Sequence, residues 1–410
     1  MRLDTLSDRI FGALMLVASL MPYVPELSSP LSLLFSAVFG VLVFVGLGRL
    51  ALQPPSGHLG GLEVALLFFL VAGALSLPVA LSNEITLGAW ARGAVPFVFL
   101  VVFYFIAPIR DDARRQYLLN VLHLASVFWL VKIMIISFLG LGQLLGGQIS
   151  RLTFLTLDLT LPYSLVGLVL SLFNPDPRVA RWRMPLSAAF LLIIFLSGYR
   201  SQLLISGLVL LVFLYKLPAR LRIIWTGLIA GVVAVGLVSI TQTAFWRDYT
   251  TRFVAVSRFT EEDSRMQELR FALGEFAESP IVGNGFGNPV PAEVVFGGDV
   301  AFVTSEVGRS SVNYIHNVGA YMLMDVGLLG FLAYFSFIGL AVARALRAVR
   351  AGSPGAQVRF SAVVGIGALL TFFLIAASFR QIQSNLMIAT LVAVAGSAQA
   401  SPGARRSAAA

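Results

Sequence analysis

Apolar residues in this chain come in runs of about twenty, the length at which a helix crosses a hydrocarbon layer roughly 30 Å thick. Such runs recur near 9–24, 30–48, 62–82, 93–109, 117–140, 152–173, 184–197, 201–215, 222–241, 316–342, 360–379 and 382–398. Over the 410 residues, 58% are hydrophobic and 12% charged, about half the charged share of soluble domains. No water-soluble fold hides that much apolar surface, and in lipid a helix satisfies its own backbone polar groups. The expected class is therefore an all-α polytopic membrane protein with about 12 transmembrane helices. Arg2 and Arg9 precede the first run, as in a secretory signal, but no small-x-small cleavage site follows in Met21-Pro22-Tyr23-Val24, so a retained helix is expected.

Lysine and arginine test this scheme, because they collect in loops on the cytoplasmic side. Eighteen of the 29 fall on the side shared by both termini: Arg2, Arg9, Arg49, Arg110, Arg114, Arg115, Arg178, Arg181, Arg183, Lys216, Arg220, Arg222, Arg344, Arg347, Arg350, Arg359, Arg405 and Arg406. Short loops on the other side hold Arg92, Arg151, Arg200 and Arg380. Both termini are thus expected in the cytoplasm. The net charge of +9 is mostly this topology signal and not a nucleic-acid surface. One apolar stretch, 184–215, is interrupted by Ser197-Gly198-Tyr199-Arg200-Ser201-Gln202 and is basic at both ends. A hairpin with Arg200 at its outer tip follows.

The expected organisation is transmembrane helices 1–9 over 1–241, a large periplasmic loop over 242–315, helices 10–12 over 316–400, and a disordered cytoplasmic tail over 401–410. Within the loop, Ser264-x-x-Gln267 reads as a capping box, Met266, Leu269, Leu273 and Phe276 recur at helical spacing, and Ser279-Pro280 closes the segment. That predicts an amphipathic helix over about 265–278. Gly283-Asn284-Gly285-Phe286-Gly287 follows. Without a Lys-Ser/Thr after it, this is read as a tight reversal using glycine's access to positive φ and not as a phosphate loop. Cysteine is absent and the histidines, His58, His123 and His316, are scattered, which excludes thiolate chemistry and argues against a metal site. No cofactor is expected.

Three blocks in the carboxy-terminal half resemble the O-antigen ligase and polymerase superfamily of bacterial envelope glycosyltransferases. Leu196-Ser197-Gly198-Tyr199-Arg200 is similar to its Ser-Arg block at a periplasmic helix tip, with Tyr199 where a serine is usual. Arg265 to Leu273, leading into Pro280-x-x-Gly283-x-Gly285, resembles its arginine-rich helix and exit turn. His316-Asn317, with Asp325-x-Gly327-Leu328-Leu329-Gly330 behind it, resembles its His-Asn motif at the head of the next span. The resemblance covers about 196–345 and implies a GT-C-like architecture in the bacterial cytoplasmic membrane. It also implies metal-independent transfer, at the periplasmic face, of a glycan from an undecaprenyl diphosphate carrier to an acceptor hydroxyl. The partners would be that lipid-linked donor, a glycan or lipid-linked acceptor, and the bilayer, with no nucleic acid.

On this reading Arg200 and Arg265 clamp the diphosphate, with Arg270 in reserve, because guanidinium stays charged and offers phosphate a planar fork of donors. The bland reading is that these arginines reach for lipid headgroups. His316, the one histidine expected outside, is the candidate general base, imidazole being suited to take a hydroxyl proton near neutral pH. Its alternative is a structural hydrogen bond. Asn313, Tyr314 and Asn317 are candidate substrate-binding neighbours, while Asp325, nine residues on and half a turn away, is not expected to touch His316. Lys132 and Asp158 match in membrane depth and could pair, as an ion pathway or a structural contact. A transporter or lipid flippase is the rival class, although no repeat or helix broken at the midplane is visible. Nothing in the sequence separates a polymerase, toward which the absence of a core-recognition motif leans, from a ligase acting on a lipid A core. Reporters fused after Gly287 are expected to report outside, and those after Arg115 or Arg350 inside. An inside signal at Gly287 would put the arginines and His316 in the wrong compartment.

Overall fold

The computed structural model describes residues 3–21, 30–52, 60–107, 109, 111–145, 162–197, 199–227, 260–296 and 311–396. They form helices α1 (Leu3–Leu20), α2 (Pro30–Leu52), α3 (Gly61–Ser82), α4 (Leu87–Ile106), α5 (Asp112–Leu145), α6 (Pro162–Phe173), α7 (Arg183–Ser197), α8 (Arg200–Lys216), α9 (Thr260–Glu278), α10 (Val318–Arg350), α11 (Ala356–Phe373) and α12 (Ile382–Gly396). A two-residue ribbon pairs β1 (Val290–Pro291) antiparallel with β2 (Ser311–Val312). The chain is an all-α membrane protein: among the described residues, five helices are long and apolar enough to cross a membrane, and five shorter apolar helices accompany them. Large apolar side chains stand exposed along these helices, Phe44 at 77%, Phe68 at 64% and Leu211 at 62% among them. In water such a belt would drive aggregation, whereas in lipid it is the normal outer face. Most of the expected span 222–241, and part of 152–173, lie outside the described residues.

Helices α7 and α8 run antiparallel, because the Arg183 guanidinium at the start of α7 lies 6.0 Å from the Phe213 ring near the end of α8. Phe173, at the end of α6, meets both Phe213 and Phe360. Lys216 lies 4.4 Å over the Phe360 ring. Arg359 and Arg344 donate to the carbonyls of Ala395 and Gly396 at the close of α12, where the helix dipole favours cations. The basic stretches 178–183, 216 and 344–359 therefore share one end of the bundle. The hairpin tip, the 83–86 turn and the segment after α11 lie at the other.

At that second end α10 breaks. Gly327 takes φ 62° and ψ −166° inside an otherwise continuous helix, which frees backbone groups that would cost several kcal/mol each if left unbonded in a bilayer. The segment after α9 satisfies four of them. Asn284 and Gly285 donate N–H to the carbonyls of Met324 and Asp325, and Leu328 and Leu329 donate to Pro280 and Ile281, all at 2.8–3.2 Å. This close approach explains the glycines. A Cβ on Gly283 (φ +70°) would come within 2.5 Å of the 325–327 backbone, and one on Gly285 (φ +98°) within 2.8 Å of the backbone of Ala80. Phe286, next in the chain and 2% exposed, enters the bundle and stacks on Phe97 at 5.5 Å.

Three expectations need correcting. The helix α9 opens at Thr260, so Ser264 lies within it and not at its start. Its packed side holds Glu268 and Ala272, whereas Met266 and Leu273 are exposed, because a paired carboxylate takes the inward position that apolar periodicity assigned to the neighbouring stripe. Arg92 belongs to α4 and not to a loop, since Thr86 caps that helix six residues upstream through its Oγ1 to the Ala89 N–H. Gly283→Ala and Gly285→Ala are each expected to lower the melting temperature of the detergent-purified protein by several degrees. Gly207→Ala, with nothing within 4 Å of the new Cβ, should melt at or above wild type.

Candidate functional site

With the 280–287 segment tied to the break in α10, α9 must end against that helix, and this fixes which of its residues faces the start of α10. The residue is Glu268. It is 2% exposed, although a lone carboxylate buried so deeply would be costly. Three donors compensate. The His316 backbone N–H reaches Oε2 at 2.6 Å, His316 Nδ1 lies 2.9 Å from Oε1, and the Arg265 guanidinium, one turn earlier on α9, donates to Oε1 at 2.6 Å.

Burial would raise the Glu268 pKa, but the ring and charge of His316, the Arg265 guanidinium and the His316 backbone N–H outweigh it, holding the carboxyl below its ordinary 4.5. It is ionised at neutral pH and can only accept hydrogen bonds. Nδ1 of His316 must then carry the hydrogen, leaving the lone pair of the neutral ring on Nε2. That is the protonation needed for a ring to accept a proton from something arriving on its far side. The imidazole remains accessible, with 22% of its side chain exposed, and so does Arg265, at 46%.

Of the residues singled out from sequence, Arg265 and His316 meet on Glu268, which sequence reasoning did not select. Tyr314 joins them, its ring 5.5 Å from the imidazole and at 78° to it. Asn317 caps α10, its Oδ1 accepting the Ala320 N–H at 2.9 Å. Asn313 is half-buried just after β2. Arg270 is exposed, and its position, about 200° around α9 from Glu268, keeps it from Arg265 and His316. Arg200 opens α8 at the same end of the bundle, but its side chain is outside the described set. Asp325 is fully buried and takes the Gly287 N–H at 3.3 Å. Lys132 donates to the Met21 carbonyl at 3.3 Å, and Asp158 lies outside the described residues. Among the described residues, no group of three or more His, Cys, Asp or Glu could hold a metal ion.

Fold and site together define a polytopic membrane protein with a carboxylate–imidazole–guanidinium cluster at one end of its bundle. Residues 185–335 match the model of a protein family described as O-Antigen ligase. This stretch, a little over a third of the chain, contains the hairpin tip, α9, the glycine segment and the start of α10, and over it the chain is similar to that family. No curated protein matches the chain.

A carboxyl held below its ordinary value stabilises the folded state above that value, and its contribution is lost as the pH falls through the lowered pKa. Wild type is therefore expected to melt above Glu268→Gln at pH about 7, and the gap to close as the pH falls below the ordinary 4.5 and through the lowered pKa. An equal gap at both ends of that range would show that the Glu268 charge does not hold α9 to His316.

Proposed function

We propose that the chain is a metal-independent glycosyltransferase of the bacterial cytoplasmic membrane. It moves a glycan from an undecaprenyl diphosphate carrier to an acceptor hydroxyl at the periplasmic face. The observation carrying this reading is the contact of His316 and Arg265 on one buried carboxylate, which joins a proton acceptor to a phosphate-type donor group in one small site. His316 Nε2 takes the proton of the attacking hydroxyl as its oxygen bonds to the anomeric carbon. The bond from that carbon to the phosphate oxygen breaks, and the electron pair leaves with the lipid diphosphate. Arg265, with Arg200 at the hairpin tip, offsets the charge that grows on the leaving group. Glu268 holds the ring in the accepting tautomer and stabilises the imidazolium as it forms. Arg270, exposed and on another side of α9, is left the outer role of meeting carrier headgroups.

We read the enzyme as a polymerase of O-antigen or exopolysaccharide repeat units, with the ligase that hands the glycan to a lipid A core as the alternative. The lipid-linked saccharides of a deletion strain separate them: single repeat units accumulate on the carrier without a polymerase, and full-length chains without a ligase. A transporter or flippase could use the broken helix, but four freed backbone groups at Gly327 are bonded to the 280–285 segment and are not left to coordinate a passing ion.

The chemical roles separate in nanodiscs, with carrier-linked glycan binding and transfer measured independently. Arg265→Lys keeps the charge but loses the planar fork, and is expected to fall in both binding and rate. His316→Ala should bind donor nearly as wild type and transfer more slowly by a factor on the order of 10² to 10⁴. If His316→Ala transfers at the wild-type rate while melting normally, His316 is no base.

A further inference from the structure

Between α11 and α12 the chain makes a 3-10 turn, Ala377–Arg380, at the same end of the bundle as His316. Both neighbours of Arg380 are fixed. Phe379 is 1% exposed and packs on Phe97, Tyr321 and Phe373. The amide of buried Asn385 donates to the carbonyls of Phe379 and Gln381 at 2.7 and 2.9 Å. The turn thus presents the Arg380 side chain in a set direction, over two aromatic faces: its guanidinium carbon lies 5.5 Å from the Tyr314 ring centre and 5.7 Å from that of Tyr321. Both distances are within the range of cation–π attraction. Tyr314 is the ring whose edge meets His316, also at 5.5 Å, so guanidinium and imidazole flank the same tyrosine.

The surroundings are polar and incompletely bonded. Among the described residues, Arg380 Nε is buried without a hydrogen-bond partner, while the Tyr321 hydroxyl and the Asp325 carboxyl interact with each other and with Arg380. Tyr321 and Asp325 are each 0% exposed. Buried polar atoms are almost always bonded, and an unbonded guanidinium nitrogen in a polar pocket is suited to a group absent from the bare protein. Charge points the same way. Arg265 shares its hydrogen bond with Glu268 and Arg380 has the buried Asp325 carboxyl nearby, so a lipid diphosphate, with two or more negative charges, calls on more than one guanidinium.

Building on the transfer reading above, we propose that Arg380 is a further anion-binding residue of the donor site, held between Tyr314 and Tyr321 to take a phosphate of the carrier diphosphate. Arg380 lies outside the 185–335 region matched to the family, so this assignment rests on the geometry of this chain. The aromatic faces hold the guanidinium plane, and its outer edge is the fork that phosphate oxygens accept from.

The test uses the full chain in nanodiscs and undecaprenyl diphosphate without any glycan, so that only the carrier is read. Arg380→Gln is expected to weaken carrier binding on the order of ten- to a hundredfold, the usual weight of hydrogen bonds to a charged group. Arg380→Lys should recover part of that loss, with melting near wild type for both. If Arg380→Gln melts low, Arg380→Lys is read alone, and wild-type affinity in that variant overturns the proposal. Arg265→Ala runs beside them. Weakened binding in Arg265→Ala with wild-type binding in Arg380→Gln removes Arg380 alone. Wild-type carrier binding in both removes the diphosphate reading itself. A loss confined to the KM for acceptor would assign Arg380 to an acidic acceptor sugar and likewise overturn the proposal.

Discussion

A helix broken inside a membrane must find partners for the backbone groups it releases, and the rest of the site depends on how this chain does so at Gly327. The partners come from Pro280, Ile281, Asn284 and Gly285, which ties the end of α9 to the middle of α10. Glycine is needed where the two backbones touch, since Gly283 and Gly285 both occupy positive φ with no room for a Cβ. With its end fixed, α9 can offer one residue to the start of α10, and the residue there is a glutamate.

Burying that carboxylate is tolerable only because His316 and Arg265 converge on it, and the proposed chemistry rests on the same convergence. Glu268 accepts from Nδ1 and so decides which imidazole nitrogen remains basic. Arg265, bonded to the same oxygen, is held beside the base and kept at the exposed edge where an anion would arrive. One buried charge thus positions an imidazole and a guanidinium together, in the places that the proposed base and phosphate-binding roles require. The aromatic layer below, where Phe286 enters from the glycine segment and Tyr321 and Phe379 pack around Phe97, gives the polar residues a rigid floor.

Much of the fold was legible because lipid imposes a length and a charge rule that sequence cannot disguise. The edges of α7, α8 and α12 fall within a residue or two of the apolar runs. The roles of Arg265 and His316 were suggested by motif order, and the structure brings the two to one carboxylate. Glu268 escaped notice because a glutamate on an apparently amphipathic surface helix looks like any solvated charge, and only tertiary packing turns it inward. The break at Gly327 escaped for a similar reason: glycine is common in membrane helices, and its φ depends on a segment some forty residues away. Arg380 was placed only as one of four basic residues in short outer loops, because nothing in the sequence sets it over the faces of Tyr314 and Tyr321.

Whether Glu268 and His316 act as one unit is tested most directly by a double-mutant cycle on the glycan transfer rate. Glu268→Gln, His316→Ala and the combination would be compared with wild type in nanodiscs at saturating donor. If the carboxylate works through the imidazole, adding Glu268→Gln to His316→Ala costs almost nothing further, so the double variant transfers at about the rate of His316→Ala alone. If the two losses multiply, Glu268 and His316 contribute independently, and the buried carboxylate is part of the scaffold and not of the catalytic pair.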